Sequence, residues 1–252
     1  MTAHDVRLTT TLLPRWRLPL AARSTERELL DDAVLDAHDL AVNLRELAML
    51  NRLPGGTAAS IAAIDRLAAG RRDLAILDVG AGGGEMALAM ARHGRRGTGA
   101  GRWRVTAVES HPDVLKLAAR RIGDEPDVRL VRGDALKLSL ADASVDVAHA
   151  SLLLHHLDPV EAVLALRELR RVARLGVVIN DLRRGGVPYA VTAATVVALC
   201  RGRYTRADGL ASARRAYTLR ELDALLIEAG LCVRDRSAAA MPRVVTVAVP
   251  VS

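Results

Sequence analysis

The sequence predicts an α/β fold: a mostly parallel sheet, with helices before it and an insertion after its fifth strand. Half of the 252 residues are apolar, so a sizeable core can be buried. From Leu74 onward, short apolar segments alternate with longer amphipathic ones, which is the pattern of βαβ units. After Asn180 the alternation stops for about 35 residues and then resumes. This interruption is longer than an ordinary βα connection.

The first part of the chain has helical periodicity. Thr25, with Glu28 three residues later, predicts a capping box at the start of a helix that continues through residues 29–35. A second apolar stripe runs through residues 40–53 and ends at a Pro-Gly-Gly stop signal. Thr57 is the predicted N-cap of a third helix.

Strand and helix patterns then follow in order. The predicted strands are residues 74–79, 104–109, 128–133, 145–151, 174–180, 231–237 and 243–249. The predicted helices are residues 86–92, 112–122, 160–173 and 218–229. We therefore expect a helical cap at residues 1–56 and a main domain at residues 57–252, with an insertion at about 182–217.

Charge and composition bear on the partners. The formal charge is +7, and because Lys116 and Lys137 are the only lysines, nearly all of the 36 basic residues are arginines. They are scattered along the chain, Phe is absent, and Trp and Tyr are few. A nucleic-acid binder more often clusters its positive charge among aromatic residues, so no nucleic-acid partner is expected.

The cysteines and hydropathy bear on location. Cys200 and Cys232 lie far apart without metal-ligand spacing, which predicts neither a disulfide framework nor a zinc site. No apolar stretch reaches the roughly 20 residues that a transmembrane helix needs, and no signal-peptide pattern is present. We expect a cytoplasmic protein without a transmembrane segment.

A glycine-rich loop follows the first predicted strand. Gly80, Gly82 and Gly84 remove Cβ atoms where the chain must turn sharply, and the following helix offers its N-terminus to a ligand. In an open parallel sheet, ligands bind at the carboxyl ends of the strands where the strand order reverses. The loop therefore predicts a nucleotide-like ligand. It also satisfies the G-x-G-x-x-A dinucleotide fingerprint, so the glycines alone leave the ligand open.

Asp78 precedes the first glycine by two residues and completes the pattern D-x-G-x-G-x-G. This resembles motif I of the class I S-adenosylmethionine-dependent methyltransferases, and later elements of residues 67–249 agree with that family. The resemblance implies a Rossmann-like fold with a seven-stranded, mostly parallel sheet. It also implies S-adenosyl-L-methionine as cofactor and S-adenosyl-L-homocysteine as product.

The resemblance also implies roles for individual residues. Glu109 would hold the ribose hydroxyls, since one carboxylate can accept two hydrogen bonds from a diol, and Asp134 would lie by the adenine. The segment around "HASLLLHHLDP" is similar to small-molecule methyltransferases of the ubiquinone and menaquinone type. The implied cofactor-binding residues are Asp78, Gly80, Ala81, Gly82, Gly84, Glu109, Ser110, Asp134, Ala135, Ala150, Ser151 and Arg52.

A finer similarity extends to a bacterial subgroup associated with phenolic or polyketide products. It implies that the N-terminal helices form a lid over the cofactor. Arg52 would then meet the methionine carboxylate; the alternative is a solvated arginine at a helix end. The apolar run inside the insertion could cover the acceptor pocket, rest on lipid or be a packed core helix.

The implied chemistry is an in-line displacement at a sulfonium, for which positioning supplies much of the rate. If the acceptor is a phenol, a base helps at neutral pH, and His155 and His156 are the candidates. We expect one histidine to act as base or substrate hydrogen-bond partner and the other to pack or to cap the following helix. Asp158 is near enough in sequence to orient one imidazole. The alternative is that both histidines only close the strand and cap a helix.

The candidate substrate residues are Asn180 and Asp181 at the end of the fifth strand and Tyr189 in the insertion. A catechol-type enzyme would bind magnesium through carboxylates at the ends of the fourth and fifth strands. Because the fourth strand ends in Ala150 and Ser151, no metal is expected.

The leading hypothesis is an O-methyltransferase of a small, aromatic metabolite. C-methylation of a quinone precursor is the neighbouring alternative. Methylation of RNA is disfavoured because the fourth strand is not followed by an Asn/Asp-Pro-Pro-aromatic motif that grips a flipped base. A cofactor-binding protein without turnover is the remaining alternative, and the predicted lids allow a homodimer without requiring one.

Overall fold

The fold is built around one seven-stranded sheet, as seen in a computed structural model that describes residues 20–26, 28–29, 36–52, 55–96, 101–237 and 242–251. The strands are β1 (Leu74–Val79), β2 (Trp103–Glu109), β3 (Val128–Arg132), β4 (Val145–Ser151), β5 (Ala173–Leu182), β6 (Leu231–Ser237) and β7 (Arg243–Pro250). Their order is β3-β2-β1-β4-β5-β7-β6, and β7 runs antiparallel to both of its neighbours. The predicted Rossmann-like, mostly parallel sheet is confirmed.

Helices cover both faces of this sheet. They are α1 (Ala37–Arg52), α2 (Gly56–Ala68), α3 (Glu85–Arg96), α4 (Pro112–Ile122), α5 (Pro159–Val172), α6 (Gly186–Leu199), α7 (Arg203–Arg215) and α8 (Leu219–Glu228). One core joins the sheet to α5 and α8, and a second joins it to α2 and α3. Because both faces are covered, a central strand such as β4 is buried along nearly its whole length.

The strand order reverses between β1 and β4. β1 pairs in parallel with β2 on one side and with β4 on the other. The connections that leave β1 and β4 therefore diverge and open a crevice at the carboxyl edge of the sheet. A single 3-10 turn, Leu154–His156, follows β4 at this edge and leads into α5.

The N-terminal region departs from the predicted caps. The carboxylate of Glu28, predicted to cap a helix with Thr25, accepts a hydrogen bond from the Ser212 hydroxyl of α7. The helix expected next falls mostly on residues 30–35, outside the described residues. α2 begins at Gly56, one residue before the predicted cap Thr57, whose hydroxyl donates to a backbone carbonyl at the end of α1.

The insertion after β5 forms α6 and α7, which pack on each other, and α7 also contacts α1. Leu40 and Leu44 of α1 pack against Val114 of α4. α1, α6 and α7 thus lie over the carboxyl edge of the sheet. Within the described ranges, no helix combines the length and apolar character needed to cross a membrane.

Candidate functional site

A cavity of about 450 Å³ opens at the carboxyl ends of β1, β2 and β4, beneath α1. Nine of the residues predicted to bind a cofactor line it: Asp78, Gly80, Ala81, Gly82, Glu109, Ser110, Asp134, Ala135 and Ser151. We call it the cofactor cavity. The structure therefore brings together residues from four separate stretches of the sequence.

The glycine loop forms the floor of the cofactor cavity. Gly80 and Gly82 have φ values of +69° and +53°, in the left-handed region that favours glycine. A Cβ atom on Gly82 would meet no atom within 4 Å, so its backbone faces open space. α3 begins directly afterwards, which aims the N-terminus of a helix at the cavity.

Glu109 fixes the loop from the end of β2. One carboxylate oxygen accepts a hydrogen bond from the Gly82 N–H at 3.0 Å. The other accepts from the Ser110 and His111 N–H groups at 2.9 and 2.8 Å. An ionised carboxylate has about four acceptor positions, so the side chain keeps capacity for a ligand hydroxyl.

Asp78 belongs to a buried polar network under the cavity. Its Oδ1 lies 2.7 Å from Nδ1 of His149, and His149 Nε2 lies 3.0 Å from the Ser60 hydroxyl. The Asn180 amide donates to that hydroxyl and to the Gly56 carbonyl. Among the described residues, Asp78 Oδ2 has no hydrogen-bond partner, and Asp78 lines the cofactor cavity.

Six predicted cofactor or substrate residues lie outside the cofactor cavity: Gly84, Ala150, Arg52, Asn180, Asp181 and Tyr189. Asn180 is fully buried in the network just described. Gly84 also stays outside, and a Cβ there would lie 2.8 Å from Ile122 Cδ1, so this glycine allows α4 to pack. Ala150 is buried in the core. Arg52 lines a separate groove with other arginines, and its neighbour Asn51 lines the cofactor cavity.

A second cavity, of about 370 Å³, lies beside the first and is mostly apolar. We call it the acceptor cavity. Leu47, Leu152 and His156 line both cavities, so the two adjoin at these side chains. The insertion contributes a wall from α6 and α7, but Tyr189 lines neither cavity.

Arg243 adds a positive charge to the wall of the acceptor cavity. Its Nη2 donates to Oδ1 of Asn51 at 2.6 Å, and its Nη1 has no hydrogen-bond partner in the part of the chain that the structure describes. Burial lowers the pKa of this guanidinium to about 10.

His155 is oriented by the carboxylate of Asp181. Nδ1 of His155 lies 2.6 Å from Asp181 Oδ1, and both side chains are buried. Burial alone would raise the pKa of Asp181, but the charge and hydrogen bond of His155 outweigh it and lower that pKa. The expectation that Asp158 orients an imidazole is wrong, because Asp158 caps α5 by accepting from the Glu161 N–H.

Glu28 reaches the same histidines from the N-terminal region. Its Oε2 lies 3.6 Å from Nδ1 of His156, and its Oε1 lies 3.9 Å from Nε2 of His155. The side chain is only 2% exposed. Burial raises the pKa of Glu28, although His156, the Ser212 hydroxyl and Arg215 act in the opposite direction.

Residues 76–176 match the family model described as a methyltransferase domain. That span contains the glycine loop, Glu109, Asp134 and both histidines. The fold is that of a class I methyltransferase. A search of curated protein sequences finds no match.

Solved methyltransferase structures share this fold. An S-adenosylmethionine-dependent methyltransferase from Aquifex aeolicus superposes with a TM-score of 0.61 at 16% identity, over 86% of this chain and 100% of that one. Human N-acetylserotonin methyltransferase, in complex with S-adenosylmethionine, gives 0.62 at 14% identity, over 86% and 57% of the two chains.

An O-methyltransferase from neocarzinostatin biosynthesis gives a TM-score of 0.56 at 20% identity, over 76% of this chain and 52% of that one. It was solved with S-adenosylmethionine and 2-hydroxy-5-methyl naphthoic acid.

Sequence reasoning missed two polar residues of this methyltransferase fold. His149 interrupts an apolar strand, and a polar residue in a strand predicted to be buried signals a buried partner. Glu28 carried no such signal, because the Thr-x-x-Glu pattern is explained by a capping box at the start of a helix. Its actual partners lie on α7 and in the turn after β4.

We predict that Glu28→Gln raises the free energy of unfolding at neutral pH. A raised carboxyl pKa means that the fold disfavours the ionised form, so ionised Glu28 lowers stability above its folded-state pKa. The increase in unfolding free energy caused by Glu28→Gln should vanish below the unfolded-state pKa, near pH 4. There the carboxyl of Glu28 is protonated in both the folded and the unfolded state. Urea unfolding at pH 7 and below pH 4 measures both values.

The control for this prediction is Glu228→Gln, at an exposed site on α8. It should change the unfolding free energy by less than about 0.5 kcal/mol. A loss of stability in Glu28→Gln at pH 7 would contradict the account of Glu28.

Proposed function

We propose that this protein is an S-adenosylmethionine-dependent methyltransferase that methylates a hydroxyl group of a small, apolar, aromatic metabolite. The observation that carries the proposal is the meeting of the two cavities at His156, Leu47 and Leu152. A methyl donor in one cavity and an acceptor in the other would meet there.

The cofactor cavity fits S-adenosylmethionine in three respects. Glu109 presents a fixed carboxylate for the ribose hydroxyls. The Gly82 backbone leaves room for a ligand to lie against the chain. Asp78 Oδ2 is a buried acceptor without a partner, and such a group is costly unless a ligand satisfies it. When bound, the cofactor supplies an electrophilic sulfonium methyl group.

The acceptor cavity supports an apolar substrate with a polar group. Its surface is mostly apolar, with aliphatic side chains from α1, α6, the turn after β4 and the end of β5. Its volume, about 370 Å³, lies in the range of small-molecule sites. The neocarzinostatin O-methyltransferase, solved with a naphthoic acid, supports an aromatic acceptor by analogy of fold.

His156 is the proposed base. It lines both cavities, whereas His155 lines the acceptor cavity alone and is held by Asp181. The acceptor hydroxyl would give its proton to the imidazole of His156 as its oxygen attacks the methyl carbon. The Glu28 carboxylate, 3.6 Å away, would stabilise the imidazolium that forms.

We predict that Glu109→Gln raises the dissociation constant of S-adenosylhomocysteine at least tenfold. Hydrogen bonds to a charged group contribute roughly 1.5–3 kcal/mol, and about 1.4 kcal/mol is a factor of ten. Isothermal titration calorimetry measures the change, with Glu228→Gln as the matched control of unchanged affinity. If Glu109→Gln binds as tightly as the parent, the ribose assignment is wrong.

We predict that His156→Ala lowers kcat by about 10²–10⁴, the usual contribution of a general base. The assay is a screen of phenolic acceptors with methyl-labelled cofactor, and fragmentation of the product by mass spectrometry separates O- from C-methylation. His38→Ala, at an exposed site on α1, is the control that should retain full activity. Full activity in His156→Ala would remove the proposed base.

A further inference from the structure

We propose that Glu28, His155 and His156 form a binding site for one divalent transition-metal ion of the zinc type. Each residue offers one ligand atom, and these atoms lie within 4.8 Å of one another. Two histidines and one carboxylate are a set that binds Zn²⁺ in proteins and leaves a coordination position open. This set differs from the strand-end carboxylates considered for magnesium in the sequence.

The distances between the ligand atoms suit a single ion. Glu28 Oε1 lies 3.9 Å from His155 Nε2, and Glu28 Oε2 lies 3.6 Å from His156 Nδ1. Two ligands that each lie about 2.1 Å from a tetrahedral ion are about 3.4 Å apart. The three ligand atoms, which lie within 4.8 Å of one another, must therefore approach by up to about 1.4 Å to share one ion.

The hydrogen-bond partners of the proposed ligands are of the kind found around metal ions in proteins. A histidine ligand usually donates its other ring N–H to a carboxylate, which fixes the tautomer and the ring orientation. Asp181 takes this position on Nδ1 of His155 and leaves Nε2 directed toward Glu28. The Ser212 hydroxyl donates to Glu28 Oε1 at 2.8 Å and orients that carboxylate in turn.

The surrounding charges leave room for a cation. Asp208 lines the same cavity as Glu28, and Asp181 lies behind His155. Three guanidinium groups oppose a cation: Arg215, 3.9 Å from Glu28 Oε1, Arg243 in the cavity wall, and Arg23, whose Nη2 donates to the His155 carbonyl at 2.8 Å. The three carboxylates of Glu28, Asp181 and Asp208 balance them.

A bound ion would compete with the proposed base. A neutral imidazole has one lone pair, so when Nδ1 of His156 binds the ion, Nε2 carries the proton and cannot accept another. An ion at this site would therefore inhibit methyl transfer. This consequence rests on the proposed function, whereas the binding itself does not. The two can therefore fail separately.

The test is a titration of the metal-free full-length protein with Co²⁺, without cofactor or acceptor, followed by visible absorption. We expect one Co²⁺ per chain, displaced by one Zn²⁺. Affinity should fall at least tenfold in Glu28→Gln and in His156→Ala, in line with the loss of one ligand. His38→Ala, which removes an exposed histidine, should bind like the parent.

Glu28→Gln keeps the shape of the side chain, and circular dichroism checks that each variant is folded. The absence of a saturable absorption band, or equal affinity in the parent and Glu28→Gln, would overturn the proposal. In the transferase assay, Zn²⁺ should inhibit the parent with a midpoint equal to its dissociation constant. Saturable Co²⁺ binding without any methyl transfer would leave the metal site intact and reject the proposed function.

Discussion

The buried pair of Asp78 and His149 holds the crevice together. These residues lie opposite each other in the parallel pairing of β1 with β4, the point where the strand order reverses. Leaving one member of a buried hydrogen-bonded pair without its partner costs roughly 1–3 kcal/mol, so the alignment of these two residues is constrained. The network continues through Ser60 to Asn180 and thereby ties α2 and β5 to the same point.

The position of this pair determines what is available to a ligand. Because His149 occupies one oxygen of Asp78, the other oxygen is left for the cofactor cavity. The glycine loop begins two residues later and is fixed by Glu109 from the neighbouring strand. The acceptor cavity, in contrast, is closed by Glu28, α1 and the inserted helices, which lie outside the matched methyltransferase domain.

The central strands of the sheet could be predicted from sequence because they are largely buried and form apolar runs. The edge strands β3 and β6 are partly exposed. β1, β4 and β6 have the predicted bounds, and so does α4. The glycine loop and Glu109 were also predicted correctly. Positions with φ near +60° are usually glycine, and a carboxylate at the end of a strand is visible in the sequence. Gly84 shows the limit of such signals, since a glycine needed for helix packing looks the same as one needed for a ligand.

The polar partners could not be predicted, because they are far apart in the chain. Local rules assign Glu28 to a capping box and Asp158 to a histidine, since these are the nearest candidates in sequence. In the fold, Glu28 lies against His156, and Asp181 at the end of β5 takes the place expected for Asp158. Only the sheet topology and the inserted helices bring these groups together.

We propose that a sulfonium nucleoside lies on the glycine loop and faces an acceptor beside His156. The decisive experiment is a crystal structure of the protein grown with S-adenosylhomocysteine. The ribose hydroxyls should lie within hydrogen-bonding distance of Glu109, and the sulfur atom should point at the junction of the two cavities. A ribose bound away from Glu109, or a sulfur closed off from the acceptor cavity, would rule out this binding mode.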